Sequence, residues 1–327
     1  MQCVLIERFG PPADVVQAAE RPEPAPGPGQ ARVRMHLAPI HNHDLAILRG
    51  IYGYKPTLPA VPGTEAVGVI DALGEGTSGL AVGQRVATAS VQGTWATHFV
   101  ADAHRLVPVP ESLPDELACQ LLAMPLSALM LLVDMKLQPG QWFVQNAANG
   151  AVGKTLAALA AQRGIGCVNL VRRDAALAEL VEAGLGNGVS TEATDWKSRV
   201  RELTGDAPIA RAIDSIGGEA ALPLTSLLAE GGELISFGAL SMKPMLVNGG
   251  DLIFKQAVVR GYWATKRFAA TPPAELARLI GELTQALAQG HLRLPVASVH
   301  DLADAAAAMT AAERPGRAGK VLLRGGA

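Results

Sequence analysis

The segment 146–155, which reads Asn-Ala-Ala-Asn-Gly-Ala-Val-Gly-Lys-Thr, is the part of the chain best suited to hold a phosphate. It follows the apolar run 142–145 and leads into an Ala-rich stretch predicted to be a helix, which is the order found in nucleotide-binding loops. Gly-Lys-Thr at 153–155, with Ala148 in place of the usual first glycine, approximates a Walker A loop. Such a loop binds a nucleoside triphosphate, with the lysine on the phosphates and the threonine on magnesium.

The same segment also approximates the G-x-G-x-x-G turn of dinucleotide-binding proteins, again with alanine at the first glycine position. Gly150 would let the backbone approach a pyrophosphate, Gly153 would let the helix pack closely on the strand, and the helix N-terminus would face the phosphates. On this interpretation the cofactor contacts come from Asn146, Ala148, Asn149, Gly150, Ala151, Val152 and Gly153. Either pattern alone is a weak signal.

Residues after the next predicted strand, 168–171, favour the dinucleotide interpretation. Arg172 and Arg173 follow this strand, at the place where an acidic residue would bind the adenosine ribose and a guanidinium would pair with a 2′-phosphate. The pair therefore predicts NADP(H) rather than NAD(H) as the cofactor. The triphosphate interpretation lacks a convincing second magnesium ligand, because Asp214 follows only a short apolar run. A P-loop phosphotransferase remains an alternative, as does a glycine-rich turn that binds no ligand.

The elements that must position this loop change character along the chain. Residues 1–112 contain short runs of strand-forming residues separated by Pro and Gly, whereas residues 115–265 alternate strand and helix patterns. This alternation predicts an α/β fold with a parallel sheet covered by helices. A last strand at 320–323 could return to the first domain. We therefore expect a discontinuous β-rich domain and a nucleotide-binding domain, formed by 1–115 with 266–327 and by 116–265 respectively.

The composition excludes several classes of protein. The 327 residues include 28 Lys and Arg against 30 Asp and Glu, which provides no field that would attract nucleic acid. Cys3, Cys119 and Cys167 are too few and too far apart for a disulfide framework or a zinc knuckle, so we expect a reducing compartment, the cytoplasm. The most apolar stretch, 117–135, is interrupted by polar residues, and charge at Glu7 comes too early for a signal peptide. Neither nucleic acid nor a membrane is an expected partner.

Four segments resemble the medium-chain dehydrogenase/reductase superfamily, and the similarity extends over essentially the whole chain. Residues 49–65 resemble its R-G-x-Y…L-P-x-x-x-G-x-E signature, 145–153 and 171–173 resemble the cofactor motifs of enoyl reductases, and 254–263 resembles the end of the nucleotide domain. Within the superfamily the chain looks most like the zinc-free quinone oxidoreductases and the 2-enoyl thioester reductases. The resemblance implies a GroES-like β-rich catalytic domain and a Rossmann domain with a doubly wound parallel sheet. It also implies a homodimer formed by sheet extension.

The resemblance implies an activity and the residues that carry it. The activity is hydride transfer from NADPH to the β-carbon of an α,β-unsaturated carbonyl compound, such as a quinone, an enone or an enoyl thioester, without zinc. Tyr52 matches the family tyrosine that stabilises the enolate oxygen and delivers a proton. Further implied cofactor contacts come from Ser127, Asp214, Phe237 and Gly238. The implied substrate pocket contains His41, Tyr54, Phe254 and Trp263.

The catalytic zinc ligands of the superfamily's alcohol dehydrogenases match the positions of His41, Thr64 and, approximately, Met124. Thr and Met are poor zinc ligands, so no metal is predicted. A zinc-dependent alcohol dehydrogenase and a non-catalytic NADPH-binding protein stay open as alternatives. A non-standard metal site could be formed by His36, His41, His43 and Glu65. The run His-Asn-His-Asp at 41–44 also departs from the N-P-x-D that the zinc-free relatives usually carry.

Overall fold

The computed structural model describes residues 1–326, and in it the chain divides into two compact units. One unit contains residues 1–123 and the residues from Leu294 onward, and the other contains residues 124–293. The strands, in chain order, are β1 (Gln2–Leu5), β2 (Gln17–Glu20), β3 (Gln30–Pro39), β4 (Glu65–Leu73), β5 (Arg85–Ala89), β6 (His98–Asp102), β7 (Leu106–Pro108), β8 (Trp142–Gln145), β9 (Gly166–Val171), β10 (Gly188–Ser190), β11 (Ile209–Asp214), β12 (Leu228–Ser236), β13 (Val258–Gly261), β14 (Val296–Asp301) and β15 (Lys320–Arg324). The helices are α1 (Pro12–Val15), α2 (Asn42–Leu48), α3 (Asp115–Ala118), α4 (Met124–Asp134), α5 (Ala151–Gln162), α6 (Ala175–Glu182), α7 (Trp196–Thr204), α8 (Leu222–Leu227), α9 (Gly249–Phe254), α10 (Ala264–Ala270), α11 (Pro273–Ala288) and α12 (Ala305–Glu313).

The boundaries between the two units differ from those expected from the sequence patterns. The first lies after Ala123 rather than after residue 115, and the second lies after Arg293 rather than after residue 265. Helix α11 accounts for the second difference, because it packs against α4 and its buried face includes Leu279 and Leu283. An amphipathic pattern shows that a helix has a buried face, but it does not identify the unit that covers this face.

The unit that contains both ends of the chain is built on a mainly antiparallel sheet. Its strand order is β14-β15-β3-β4-β5-β7, and β6 also pairs with β3. Its core includes fully buried side chains such as Met35 and Trp95. Strand β15 runs antiparallel to β3, and just beyond the end of β3 the backbone N–H of Ile40 donates to the carbonyl oxygen of Val321 at 2.9 Å. This pairing brings Lys320, at the start of β15, next to the residues that follow β3.

Residues 124–293 form a six-stranded sheet in which every pair of neighbouring strands is parallel. Its strand order is β10-β9-β8-β11-β12-β13, so the chain begins at the centre, moves outward to one edge and returns to the centre at β11. This is the doubly wound order of nucleotide-binding domains, and it confirms the expected parallel sheet. Because the winding reverses between β8 and β11, the loops after these strands diverge and leave a crevice at their carboxyl ends.

The most apolar stretch of the sequence folds as short helices. Residues 117–135 include the end of α3 and the 11-residue helix α4, most of which is buried. Within residues 1–326, no helix combines the length and the apolar character that a membrane span requires.

Candidate active site

The loop between β8 and α5 turns closely around the start of the helix, which begins directly after its capping residue Gly150. A Cβ on Gly153 would lie 2.7 Å from the carbonyl oxygen of Ala148 and 2.8 Å from its Cα, so any other residue would push the loop away from α5. A Cβ on Gly150 would meet only the carbonyl oxygen of Ala147, at 3.2 Å. The turn therefore has less room for a side chain at Gly153 than at Gly150.

Asn146 and Asp214 join the ends of β8 and β11, between which the strand order reverses. Asn146 Nδ2 donates to Asp214 Oδ1 at 2.6 Å, and Asn146 Oδ1 accepts from the backbone N–H of Ser215 at 2.8 Å. The Asp214 carboxylate also accepts from the backbone N–H groups of Ile216 and Gly217 at 3.0 to 3.1 Å. Asp214, expected to contact the cofactor, therefore uses its buried carboxylate to shape the edge of the crevice.

Gln145, the last residue of β8, supports the phosphate loop and was not among the expected cofactor contacts. Its Nε2 donates to the carbonyl oxygen of Gly153 at 2.8 Å and to Asn169 Oδ1 at 2.7 Å. The side chain thus ties the first turn of α5 to strand β9, and it is almost completely buried. The available signal was a polar residue that ends an otherwise apolar run directly before the phosphate loop.

A cavity of about 620 Å³ opens beside this loop, within residues 124–293. Its lining includes Asn146 and Ala147 from the loop and Arg172 from the end of β9. Trp196 and Lys197, at the start of α7, also line it, and Lys197 Nζ lies 5.7 Å from the centre of the Trp196 ring. These two residues were not predicted, because they belong to no local sequence motif. A guanidinium, an ammonium group and an indole together suit a phosphorylated adenosine.

Of the expected loop contacts, the cavity lining includes Asn146 and does not include Ala148, Asn149, Gly150, Ala151, Val152 and Gly153. Arg173 is exposed outside it, and Asn149 Nδ2 donates instead to Glu179 Oε2 at 3.1 Å, on helix α6. Lys154, the lysine of the Walker A pattern, lies in the first turn of α5 and is absent from the lining. The Walker A lysine that the triphosphate alternative requires is therefore absent from the cavity lining.

The backbone after β12 folds back onto the end of β11. The N–H groups of Phe237 and Gly238 donate to the carbonyl oxygen of Asp214 at 2.8 and 3.2 Å. A Cβ on Gly238 would lie 2.8 Å from the carbonyl oxygen of Ser215, so a side chain there would force these segments apart. The Phe237 ring lies 6.0 Å from the ring of Tyr262, whose pKa is raised to about 12 by burial. Two expected cofactor contacts thus lie at the same crevice edge as Asp214.

The remaining expected residues of this unit are not part of the cavity lining. Ser127 is buried in α4. Phe254 and Trp263 have 84% and 44% of their surface exposed. Their roles at the cofactor and in a substrate pocket stay predictions.

In the other unit, a buried chain of polar side chains centres on His41, the residue before α2. His41 Nε2 lies 2.6 Å from Glu65 Oε2, and His41 Nδ1 lies 3.0 Å from Lys320 Nζ. Glu65 Oε1 accepts from the backbone N–H groups of Leu122 and Ala123, both at 2.7 Å. These hydrogen-bonded side chains therefore connect the starts of β15, α2 and β4 with the segment that precedes α4.

Burial opposes charge on the side chains of Glu65, His41 and Lys320. Burial raises the pKa of Glu65 to about 8. Burial, together with the positive charge of the neighbouring Arg317, lowers the pKa of Lys320 to about 8. Burial also lowers the pKa of His41 well below its ordinary value, with the positive charge of Lys320 acting in the same direction. His41 is therefore neutral, so one ring nitrogen donates and the other accepts. Which ring nitrogen donates depends on whether Glu65 and Lys320, both with a pKa of about 8, hold their protons.

Tyr52 lies beside these buried side chains, at the end of a row of three rings. The rings of His41 and His43 are 4.9 Å apart and inclined by 21°, and those of His43 and Tyr52 are 5.8 Å apart and inclined by 35°. The structure thus brings together Tyr52, expected to be catalytic, and His41, expected in the substrate pocket. Tyr54 is 41% exposed and takes no part in the row.

At two of the zinc-ligand positions, the side chains of His41 and Thr64 form hydrogen bonds with other side chains. Both nitrogens of His41 are in hydrogen bonds, and the Thr64 hydroxyl donates to Asp44 Oδ1 at 2.8 Å. His36 is not part of the cluster, because its Nδ1 bonds Asp115 Oδ2 at 2.9 Å. Over residues 1–326 no group of three or more His, Cys, Asp or Glu side chains is arranged to hold a metal ion. These residues do not fit a zinc ion.

Known proteins resemble the chain over nearly its whole length. Residues 27–111 match the family described as the alcohol dehydrogenase GroES-like domain, and residues 151–282 match the family described as zinc-binding dehydrogenase. The mitochondrial enoyl-[acyl-carrier-protein] reductase of Bos taurus is 33% identical over 99% of this chain and 88% of its own length. The enzyme of the same name from Homo sapiens is 32% identical with the same coverage.

Solved structures agree with these matches. The quinone oxidoreductase of Escherichia coli, crystallised with NADPH, is 26% identical with a TM-score of 0.90, over 99% of this chain and 100% of its own. A quinone oxidoreductase of Pseudomonas syringae pv. tomato is 25% identical with a TM-score of 0.88, over 99% of both chains. The GroES-like and Rossmann domains expected from the sequence are thereby confirmed. The chain belongs to the medium-chain dehydrogenase/reductase superfamily, in the branch of the quinone oxidoreductases and enoyl reductases.

Proposed function

We propose that this protein is an NADPH-dependent reductase that adds a hydride to the C=C bond of an α,β-unsaturated carbonyl compound without a catalytic zinc. The observation that carries the zinc-free part is that His41, at a zinc-ligand position of the alcohol dehydrogenases, has both ring nitrogens in hydrogen bonds. Tyr52, whose ring lies 5.8 Å from that of the neighbouring His43, offers a phenol in place of a metal ion. The names of the relatives, enoyl reductases and quinone oxidoreductases, support a reductase of this class.

Residues 124–293 contain the groups that would hold NADPH. The backbone N–H groups at the start of α5 would bind the pyrophosphate, at a turn that Gly153 keeps close. Arg172 and Lys197 would pair with the 2′-phosphate, and Trp196 offers a flat surface for the adenine. When bound, NADPH supplies the hydride.

The protein's own residues must then stabilise the carbonyl oxygen of the substrate and supply a proton. As the substrate's β-carbon becomes saturated, negative charge develops on the carbonyl oxygen, and the Tyr52 hydroxyl would donate a hydrogen bond to it. The same phenol would supply the proton that completes the reduction at the α-carbon, and water would restore the proton to the phenol. A neutral donor suits this step because its stabilising effect grows as the charge develops.

Among the three substrate classes, we favour the enoyl thioester. The support is the identity of 33% with an enoyl-[acyl-carrier-protein] reductase over 99% of the chain, against 26% with the Escherichia coli quinone oxidoreductase. Quinones and simple enones present the same conjugated carbonyl group and are the competing substrates.

The test is a panel of enoyl thioesters, enones and quinones, assayed by loss of NADPH absorbance with and without a chelator. We expect the highest kcat/KM with an enoyl thioester and no effect of the chelator. Stoichiometric zinc in the purified protein, or loss of activity with the chelator, would show instead a zinc-dependent dehydrogenase. NADPH binding without oxidation by any compound would show a non-catalytic binding protein.

We also propose a homodimer in which β13 extends the sheet of a second copy. β13 is the last strand at one edge of the six-stranded sheet, and its residues Val258 and Val259 are 52% and 37% exposed. An exposed edge with β-branched residues is a surface on which another strand can pair. Sedimentation should give a dimer for the wild type and a monomer for Val259→Lys, with Val181→Lys in α6 as the control. A monomeric wild type would overturn this part of the proposal.

A cytoplasmic location also remains a proposal. Its support is that Cys3, Cys119 and Cys167 are free and buried, which suits a reducing compartment. The enoyl reductases compared above are named as mitochondrial proteins. Cell fractionation with an antibody against the protein would distinguish the two locations.

A further inference from the structure

His43 lies between the hydrogen-bonded ring of His41 and the ring of Tyr52, and it has no part in the proposed reduction. Its ring is 4.9 Å from that of His41 and 5.8 Å from that of Tyr52. Tyr52 itself lies in the irregular segment after α2, close to Gly50, whose φ of +70° marks a sharp turn. A side chain on such a segment needs support from its neighbours to hold one orientation.

The hydrogen bonds around His43 fix its ring. The Thr64 hydroxyl has a single hydrogen and donates it to Asp44 Oδ1 at 2.8 Å. The contact of 2.7 Å between His43 Nε2 and Thr64 Oγ1 must therefore be donated by Nε2–H. Asp44 is held in turn, because its Oδ2 accepts from the backbone N–H of His41 at 2.8 Å. The chain from Asp44 through Thr64 thus sets both the orientation and the tautomer of the His43 ring.

Charge on His43 is also suppressed. Burial lowers the pKa of His43, and although Asp44 raises it, Lys320 acts in the same direction as burial. With Nε2 carrying the hydrogen, Nδ1 of the neutral ring is left without one. A neutral His43 presents no positive charge that would make the neighbouring phenol more acidic.

We propose that His43 is a positioning residue for Tyr52, whose ring it holds in the orientation needed for proton donation. This inference rests on the proposed function, because it assumes that Tyr52 is the proton donor. The support runs from Asp44 through Thr64 and His43 to Tyr52, with His41 fixed on the far side of the His43 ring. His43 acts through Tyr52 and takes no proton from the substrate.

Kinetics with two substitutions of His43 test the proposal. His43→Ala removes the ring, and we expect kcat to fall about 10- to 100-fold, as for other small misplacements of catalytic groups, while KM for NADPH changes less than about twofold. His43→Phe keeps a ring beside Tyr52 but loses the bond to Thr64, so we expect kcat to fall less than in His43→Ala. The matched control is His104→Asn, a substitution of an exposed histidine in a turn. Wild-type turnover in His43→Ala, or equal losses in both His43 variants, would overturn the proposal.

A second measurement does not depend on activity. In protein labelled with ¹⁵N-histidine, His43 should show Nε2 protonated and Nδ1 bare, and Tyr52→Leu should shift its ring C–H signals by removing the ring current of the phenol. A His43 signal unchanged by Tyr52→Leu would overturn the ring contact itself, even if no substrate were ever found. Failure of every substrate with an intact ring contact would instead count against the proposed function.

If His43→Ala fails to fold, as judged by thermal unfolding, substitutions of Thr64 give the same test. Thr64→Val removes the acceptor of the Nε2–H bond and should lower kcat, whereas Thr64→Ser keeps it and should restore kcat. Equal turnover of these two variants would overturn the role of the hydrogen-bonded chain.

Discussion

At the scale of single residues, the proposed chemistry depends on what takes the place of a metal ion. Zinc stabilises a developing negative charge through its own charge, and it requires ligands with free lone pairs. Here His41 and Thr64 direct their polar atoms to other side chains, and Tyr52 is the group that we propose for that task. The proposed chemistry therefore uses hydrogen bonding in place of Lewis acidity.

Tyr52→Phe removes the phenolic hydroxyl and keeps the ring in the row of three. We expect kcat to fall about 10²- to 10⁴-fold, the usual range for loss of a general acid, while the dissociation constant of NADPH stays unchanged. Steady-state kinetics and a fluorescence titration with NADPH would measure both quantities. Tyr54→Phe, which makes the same change two residues later, provides the comparison. A larger loss for Tyr54→Phe would transfer the donor role to Tyr54.

Arg172→Ala removes the guanidinium that lines the cavity, whereas Arg173→Ala removes one that lies outside it. A charge-assisted hydrogen bond contributes about 1.5–3 kcal/mol, so we expect NADPH to bind about 10- to 100-fold more weakly to Arg172→Ala. Binding of NADH, which has no 2′-phosphate, should be unaffected, and Arg173→Ala should have the smaller effect. Calorimetric titration would measure these affinities, with the exposed Arg199→Ala as the control. Equal weakening of NADH and NADPH binding would refute the pairing with the 2′-phosphate.

At the scale of elements, the turn from β8 into α5 depends on one close approach. The main chain of Ala148 and the first turn of α5 are in contact because Gly153 has no Cβ, and Gln145 ties the same turn to β9. The pattern of the sequence was sufficient to predict the strand, the turn and the helix. It could not predict the bonds of Gln145, because these depend on which strand becomes the neighbour of β8.

Gly153→Ala should both weaken NADPH binding and destabilise the fold. Its Cβ would press against the backbone of Ala148, and overpacking of this kind costs about 1–3 kcal/mol. Gly281→Ala is the matched control, since Gly281 lies in α11 and its Cβ would meet no atom within 4 Å. There we expect a gain of about 0.5–1 kcal/mol, because alanine favours the helix. Chemical denaturation would give both values, and equal stability of the two variants would contradict the prediction.

At the scale of the whole molecule, the two ends of the chain meet in one unit. Lys320 bonds His41, 279 residues earlier, because β15 pairs with β3. The hydrogen-bonded side chains from Lys320 to Glu65 are buried, so charge on them is costly. The free energy of unfolding of the protein therefore depends on pH.

Glu65 should make the free energy of unfolding depend on pH below 8. Since burial raises its pKa from 4.5 to about 8, the folded protein holds a proton that the unfolded chain has lost in this interval. The contribution of Glu65 is therefore fully present below 4.5 and is lost as the pH rises through about 8. Lys320, with its pKa lowered to about 8, stays protonated in both states below that value and adds no slope there.

We expect the wild type to lose stability relative to Glu65→Gln by up to about 1.4 kcal/mol per pH unit across this interval. Urea denaturation at a series of pH values would measure the difference, with the exposed Glu111→Gln as the control. A difference that does not vary with pH would mean that the pKa of Glu65 is not raised.

The sequence by itself determined what depends on short stretches of chain. These are the phosphate loop, the alternation of strands and helices, the arginine at the end of β9 and the unsuitable residue types at the zinc positions. Only the tertiary structure decided which buried polar groups are partners: Lys320 with His41 and Glu65, and Asn146 with Asp214. It placed Trp196 and Lys197 beside the cavity. It also assigned α11 to residues 124–293. The reason is that local patterns reflect backbone preference and burial, whereas a hydrogen bond between distant residues depends on how the strands are ordered and paired.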